Sequence, residues 1–331
     1  MAVEPAGNLI VTDSKRHTVM RFDETGHLLA EWGPSFGNTQ LAEPAGVAVS
    51  GDSIYVIDRG TPRIFRLDSS GQLQGVFSLE ALGTYGLNGL AMDAAGNLYA
   101  ADTGRNRILL LSPTGQLIKQ LGHSGSDLGG FTQPMMLAFG PDGSFFVADW
   151  ENNRIERWDT SFEATNAWSL GFHAFGVGVD LTGRVFVPDA DHRRVEVFTA
   201  QGAPLGEMGA PNSPTLDVAP RQVALPRSRQ PTVYVLGNDA IQRLDLENTP
   251  PPPQGGTGLD SDLVGLVVIV LMAALVTLAV LSRRQRKALD SLGTAPDRPV
   301  RLHAENGAQR ESQQAHGDEE LVVTNQTKGE Q

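Results

Sequence analysis

One phrase recurs through the first 240 residues and constrains the fold more than anything else in the chain. It reads Asn8-Leu9-Ile10-Val11-Thr12-Asp13, then Ser53-Ile54-Tyr55-Val56-Ile57-Asp58, then Asn97-Leu98-Tyr99-Ala100-Ala101-Asp102. Ser144-Phe145-Phe146-Val147-Ala148-Asp149 and Arg184-Val185-Phe186-Val187-Pro188-Asp189 follow, and a sixth copy, Thr232-Val233-Tyr234-Val235-Leu236-Gly237, ends in glycine. The closing positions 13, 58, 102, 149, 189 and 237 are 45, 44, 47, 40 and 48 residues apart. A hydrophobic phrase at that period fits one sheet of four short strands per repeat, the unit of a β-propeller. Six copies predict an all-β, six-bladed propeller.

The third copy shows how a blade is punctuated. Alternation and turn residues place strands at Gly89 to Met92, Asn97 to Asp102, Arg107 to Leu111 and Gln116 to Leu121, with Gly96, Gly115 and Gly122 at the turns. Composition agrees, since 37 Gly and 20 Pro beside 19% charged residues describe many short strands joined by turns. The recurrent aspartates, with arginines after them as in Asp102 with Arg105 or Arg107 and Asp149 with Arg154, resemble a reactive constellation at first sight. Their repetition in nearly every unit marks them instead as hydrogen-bonding partners for a turn.

The order of an apolar stretch, Gly-Asn-Leu-Tyr-Ala-Ala-Asp, then Asn106-Arg107-Ile108 and Gly115-Gln116-Leu117 with a closing glycine, resembles the NHL repeat family over residues 1 to about 247. The resemblance implies a toroid with a ligand surface at one mouth of its channel. The family spans binding modules and enzymes, so the fold alone does not choose between them.

Beyond the repeats the composition changes. Residues 248–262 hold four consecutive prolines, Pro250 to Pro253, then glycines, which reads as a stalk. Residues 263–281 are nineteen in number and carry no charge, long enough for a transmembrane helix. Arg283, Arg284, Arg286 and Lys287 follow it, whereas Asp260 and Asp262 precede it. The positive-inside rule therefore places the C-terminus in the cytoplasm and the propeller outside the cell membrane. Residues 282–331 are polar and read as a disordered cytoplasmic tail. The sixth unit lacks a fourth strand before the stalk, and the first starts abruptly at Met1. The expectation is that an N-terminal segment, with a signal peptide and a closing strand, precedes Met1 in the natural protein.

Chemical signals are sparse. The chain has no cysteine, which excludes disulfides, thiol catalysis and Cys-held zinc. Residues 1–250 hold 18 Lys and Arg against 28 Asp and Glu, an acidic balance that argues against nucleic acid as a partner. No phosphate loop, HExxH or EF-hand spacing occurs, and Gly122-His123-Ser124-Gly125-Ser126 has Ser126 where a nucleophile elbow needs glycine. It reads as an inter-blade loop, like Gly33-Pro34-Ser35-Phe36-Gly37.

The inner-strand entrances Ala45, Asn88, Met135, Phe175 and Arg221 contain no histidine, which departs from the pattern of amidating lyases in the family. No metal site, cofactor or catalytic residue is assigned. The ligand-binding candidates are Asn88, Gln133, His173 and Arg221, because inner-strand ends converge on the mouth while the scaffold repeats. Each has a structural alternative: His173 as a partner of loop carbonyls, Arg221 as a partner of Asp217. Trp150, Trp158 and Trp168 serve either as an exposed platform or as packing between blades. The expected function is a membrane-anchored recognition module for a protein, peptide or glycan partner. The alternative is a metal-dependent lyase or lactonase-like hydrolase on the same scaffold.

Overall fold

The computed structural model describes residues 1–209, 216, 219–226, 232–237 and 240–245. The stalk, the apolar run at 263–281, the tail and Asp217 lie outside the described residues. No helix among those described is long and apolar enough to cross a membrane.

The architecture is the expected six-bladed, all-β propeller. Blade one comprises Ala2–Val3, Leu9–Asp13, Thr18–Phe22 and Leu28–Trp32. Blade two comprises Pro44–Ser50, Ser53–Asp58, Arg63–Asp68 and Leu73–Ser78. Blade three has Leu87–Met92, Leu98–Asp102, Arg107–Leu111 and Leu117–Leu121; blade four has Pro134–Phe139, Phe145–Asp149, Arg154–Trp158 and Ala164–Ser169. Blade five has Gly178–Val179, Val185–Asp189, Arg194–Phe198 and Pro204–Met208. Blade six shows three strands among the described residues, Gln222–Ala224, Thr232–Leu236 and Ile241–Asp245.

Burial explains why the second strand is the legible one. Neighbouring blades cover both faces of a blade, so Leu98–Asp102, Phe145–Asp149 and Val185–Asp189 are buried at every position. The outer strand Leu117–Leu121 is exposed except at Leu121, and its sequence is correspondingly mixed. The strands of blade three fall within two residues of the sequence expectation.

Four seams between blades are filled from the chain that crosses them. Leu41, Leu79, Phe131 and Phe172 stand before inner strands and are all buried. Phe131 stacks on Trp158 at 5.7 Å and Trp158 on Phe145 at 5.8 Å, and Tyr99 of blade three meets Phe145 at 5.3 Å, joining blades three and four. Burying a Phe side chain contributes about 2 to 3 kcal/mol from apolar area alone. Gly115, in the last turn of blade three, has φ +81° and lies against Phe77 of blade two, where an added Cβ would come 2.5 Å from Phe77 Cβ and 2.6 Å from its Cγ. Ring closure runs through Leu9 and Val11 of blade one packed with Ala224 and Tyr234 of blade six. Gln222 Nε2 also donates to the Met1 carbonyl at 3.2 Å.

The loop at Gly122 to Ser126 is indeed inter-blade: His123–Ser124 pairs in parallel with Gly130–Phe131 before blade four begins. Trp158 and Trp168 are packing residues, the latter tilted against Phe198 at 5.9 Å. Trp150 is different, because it stands on the face where inner strands begin.

Candidate functional site

That face is built on a repeated clamp. Asp58, Asp102, Asp149 and Asp189 are fully buried at the ends of second strands. Each accepts a charge-assisted hydrogen bond from an arginine five residues on: Arg63 at 3.2 Å, Arg107 at 2.8 Å, Arg154 at 2.9 Å and Arg194 at 2.9 Å. Arg107 is thus the partner of Asp102, while Arg105 donates to the Gly83 carbonyl. Blade one departs from the pattern, since Thr18 stands at the arginine position and Asp13 accepts instead from the amides of Lys15 and Arg16.

The same aspartates hold the incoming chain. Asp58 accepts from the amide of Glu43 at 2.7 Å, Asp102 from Tyr85 at 2.7 Å and Asp149 from Thr132 at 2.7 Å. The carbonyls of those three residues accept in turn from the amides of Arg59, Gly104 and Glu151. Glu43, Tyr85 and Thr132 are therefore one position in three blades, fixed by backbone bonds on both sides, with a side chain that the scaffold leaves free to differ.

Between blades two, three and four these side chains surround a hollow of about 750 Å³. Its polar wall is continuous. Arg59 pairs with Glu43 through Nη2 and donates from Nη1 to Asn88 Oδ1 at 2.8 Å. Asn88 Nδ2 donates to Thr103 Oγ1 at 2.9 Å and to the Gly86 carbonyl at 3.0 Å, and Thr103 Oγ1 donates to the Pro134 carbonyl at 2.6 Å. These bonds fix which way the Asn88 amide points. Asn88 is buried, so it positions Arg59 from below.

The four candidates lie on this one face, though not in one cluster. Asn88 and Gln133 line the same hollow. Gln133 is exposed with φ +59°, its amide donating to Asn106 Oδ1 at 2.8 Å and its carbonyl accepting from the Trp150 amide at 3.3 Å. A left-handed backbone at a residue other than glycine costs about 1 to 2 kcal/mol, which those two bonds offset. His173 is exposed and stacks on Trp150 with centroids 5.2 Å apart, its Nδ1 bonded to the Trp150 carbonyl at 3.0 Å. Phe175 meets Trp150 edge-on at 5.9 Å. Arg221 is exposed on blade six, its amide bonded to the Leu236 carbonyl, and no described hydrogen bond joins its side chain to the other three.

Sequence reasoning passed over Glu43, Arg59 and Tyr85. They sit in the crossover and turn rather than on the inner strand, and the available signal was the disagreement among blades at one clamped position.

Blade four adds a buried electrostatic hub. Arg154 donates to Asp149 and to the carbonyls of Ser126, Asp127 and Gly130, and lies 3.5 Å from fully buried Glu156. Glu156 accepts from the Gly129 amide at 2.6 Å. Burial outweighs these bonds and raises the pKa of both Asp149 and Glu156. The hub braces the loop ahead of blade four. Among the described residues no three His, Asp or Glu side chains converge as a group that could hold a metal ion.

No family model matches the chain. The mouse NHL repeat-containing protein 3 is 28% identical over 174 residues, covering 46% of this chain and 49% of that protein. The chain thus matches about half the length of that relative. Among solved structures, a streptogramin B lyase superposes with a TM-score of 0.55 at 17% identity, covering 74% of this chain and 82% of that one. Virginiamycin B lyase from Staphylococcus aureus gives 0.53 at 15%, covering 74% and 83%. Hydrazine synthase from Kuenenia stuttgartiensis gives 0.55 at 12%, covering 74% and 94%. At such identities the structural likeness speaks for the fold alone. Six phrases in one order and six sheets in sequence make the described residues up to 245 a six-bladed β-propeller, whose repeats are similar to those of the mouse NHL repeat-containing protein 3.

Proposed function

We propose that the propeller is a non-catalytic recognition module, held at the cell surface by residues 263–281, that binds a protein, peptide or glycan partner at the face where its inner strands begin. The observation that carries this reading is the clamped position shared by Glu43, Tyr85 and Thr132. Backbone bonds hold it rigidly in three blades, while acid, aromatic and hydroxyl side chains are presented around one hollow. Preorganised and chemically diverse side chains at a concave rim are what binding requires, because little ordering entropy remains to be lost. The apolar run and its basic flank support the anchored, outward-facing arrangement.

The test is a paired binding screen of peptide and glycan arrays with the full chain and with Gln133→Ala, both shown folded by thermal melting. A ligand held by the parent and lost by the variant supports the reading. Ligands retained equally by both would contradict it. Elemental analysis of the same preparation decides the rival: stoichiometric calcium or zinc would favour the lyase or lactonase-like alternative and overturn a purely binding role.

A further inference from the structure

We propose that the hollow between blades two and four takes a neutral oligosaccharide, one pyranose ring lying on Tyr85 and its hydroxyls reaching Arg59, Glu43 and Gln133. This rests on the recognition reading above and narrows it to one ligand class.

Tyr85 is the first observation. The residue is 71% exposed, more than any other large hydrophobic residue described. Yet the residue is not loosely held, since its amide and carbonyl are bonded to Asp102 and to the Gly104 amide. The ring itself lies against Gly104: a Cβ there would fall 2.2 Å from Tyr85 Cδ1 and 2.8 Å from the Tyr85 carbonyl oxygen. Gly104 does not have a left-handed φ, so its φ does not call for glycine, and it is the close approach of Tyr85 that excludes a side chain. An aromatic ring that is seated on backbone and open to water is a rigid platform with little rotamer entropy left to lose.

The wall beside it is the second observation. Glu43 and Arg59 neutralise one another, with side chains 39% and 35% exposed, so the hollow offers no net charge to an ionic ligand. Arg59 spends one Nη1 bond on Asn88 and one Nη2 bond on Glu43, which leaves further N–H donors, and Glu43 keeps Oε2. Gln133 adds an exposed amide that both donates and accepts. Donors and acceptors side by side match vicinal hydroxyl groups, each of which donates and accepts, and the apolar C–H face of a pyranose matches the open face of Tyr85. An anionic glycan is disfavoured by the acidic domain. A peptide adding as a strand needs an unpaired strand edge, and this hollow is walled mainly by turns and crossovers.

The experiment titrates the full chain by calorimetry with cellotriose, chitotriose and mannotriose separately, and with a pool of neutral hexapeptides. At least one trisaccharide is expected to bind saturably. Tyr85→Ala should weaken it at least about tenfold, and Tyr85→Phe by no more than about threefold, because the ring and not the hydroxyl makes the contact. Arg59→Ala should weaken it as well, and thermal midpoints confirm that each variant is folded. If no trisaccharide binds, or if binding survives Tyr85→Ala, the proposal is overturned. Hexapeptides that bind and are lost with Gln133→Ala would sink the glycan assignment while leaving the recognition reading standing; binding of neither class would sink both.

Discussion

Blades two and four carry the same clamp with opposite electrostatic outcomes. Burial acts to raise the pKa of Asp58, but hydrogen bonds from Thr61, the amides of Glu43 and Ala42, and Arg63 outweigh it and hold the carboxyl below its usual range. At Asp149 burial wins over Asn152, the Thr132 amide and Arg154, and the pKa rises. The difference traces to burial, the largest cause at both carboxyls, which the hydrogen bonds outweigh only at Asp58, and the residue two positions after the arginine differs as well. Blade two has buried Phe65 there, with the Arg63 guanidinium 5.1 Å over its ring, whereas blade four has buried Glu156. One guanidinium serves one carboxylate in blade two and two in blade four. Identical backbone geometry therefore gives no guarantee of identical charge balance.

The comparison breaks most visibly at the arginine. Arg154→Met leaves two buried carboxylates with no cation and should destabilise the domain by about 3 to 5 kcal/mol in urea unfolding. Arg63→Met leaves Asp58 with Thr61 and two amides, and should cost about 1 to 2 kcal/mol. Equal losses would show that the two clamps are equivalent after all.

The pH dependence sharpens the same contrast, with opposite signs. Glu156 has a folded pKa raised above 4.5, so its contribution is fully present below about pH 4.5 and is lost as pH rises past that value. The stability of Glu156→Gln should therefore gain on the parent between about pH 4.5 and neutrality. Asp58 has a folded pKa below 3.8, so its contribution is present above about pH 3.8 and is lost as pH falls further. The deficit of Asp58→Asn should then shrink in acid. Thermal melts across pH measure both, and slopes of the same sign would contradict the assignment.

Much of this architecture was legible because the buried second strands, covered on both faces, repeat as nearly continuous apolar runs ending in Asp. The site was less so. Asn88 and Gln133 were reachable from inner-strand position, but Asn88 proved to be a support for Arg59. Tyr85 sits in a crossover whose length changes as the copies fall 40 to 48 residues apart, so self-alignment slips there, while Arg59, next to Asp58, differs in type from its counterparts Ser14, Thr103, Trp150 and Ala190. Glu156 was hidden for another reason: alternation along Arg154–Trp158 suggests a solvent-facing carboxylate, while the adjacent blade covers that face.

Smaller effects are expected at the rim than at the clamp. Gly104→Ala must displace the Tyr85 ring or its carbonyl, and should cost about 1 to 2 kcal/mol in stability while also impairing ligand binding. Tyr85→Ala removes an exposed ring and should change stability by less than about 0.5 kcal/mol.

That contrast between a silent effect on folding and a large one on binding is the core of the account. Its most direct test is the affinity of Tyr85→Ala relative to the parent for the neutral trisaccharide that the parent binds, measured by calorimetry with both proteins at matched thermal midpoints. A loss of at least about tenfold is expected; an unchanged affinity would overturn the assignment of Tyr85 as the sugar platform.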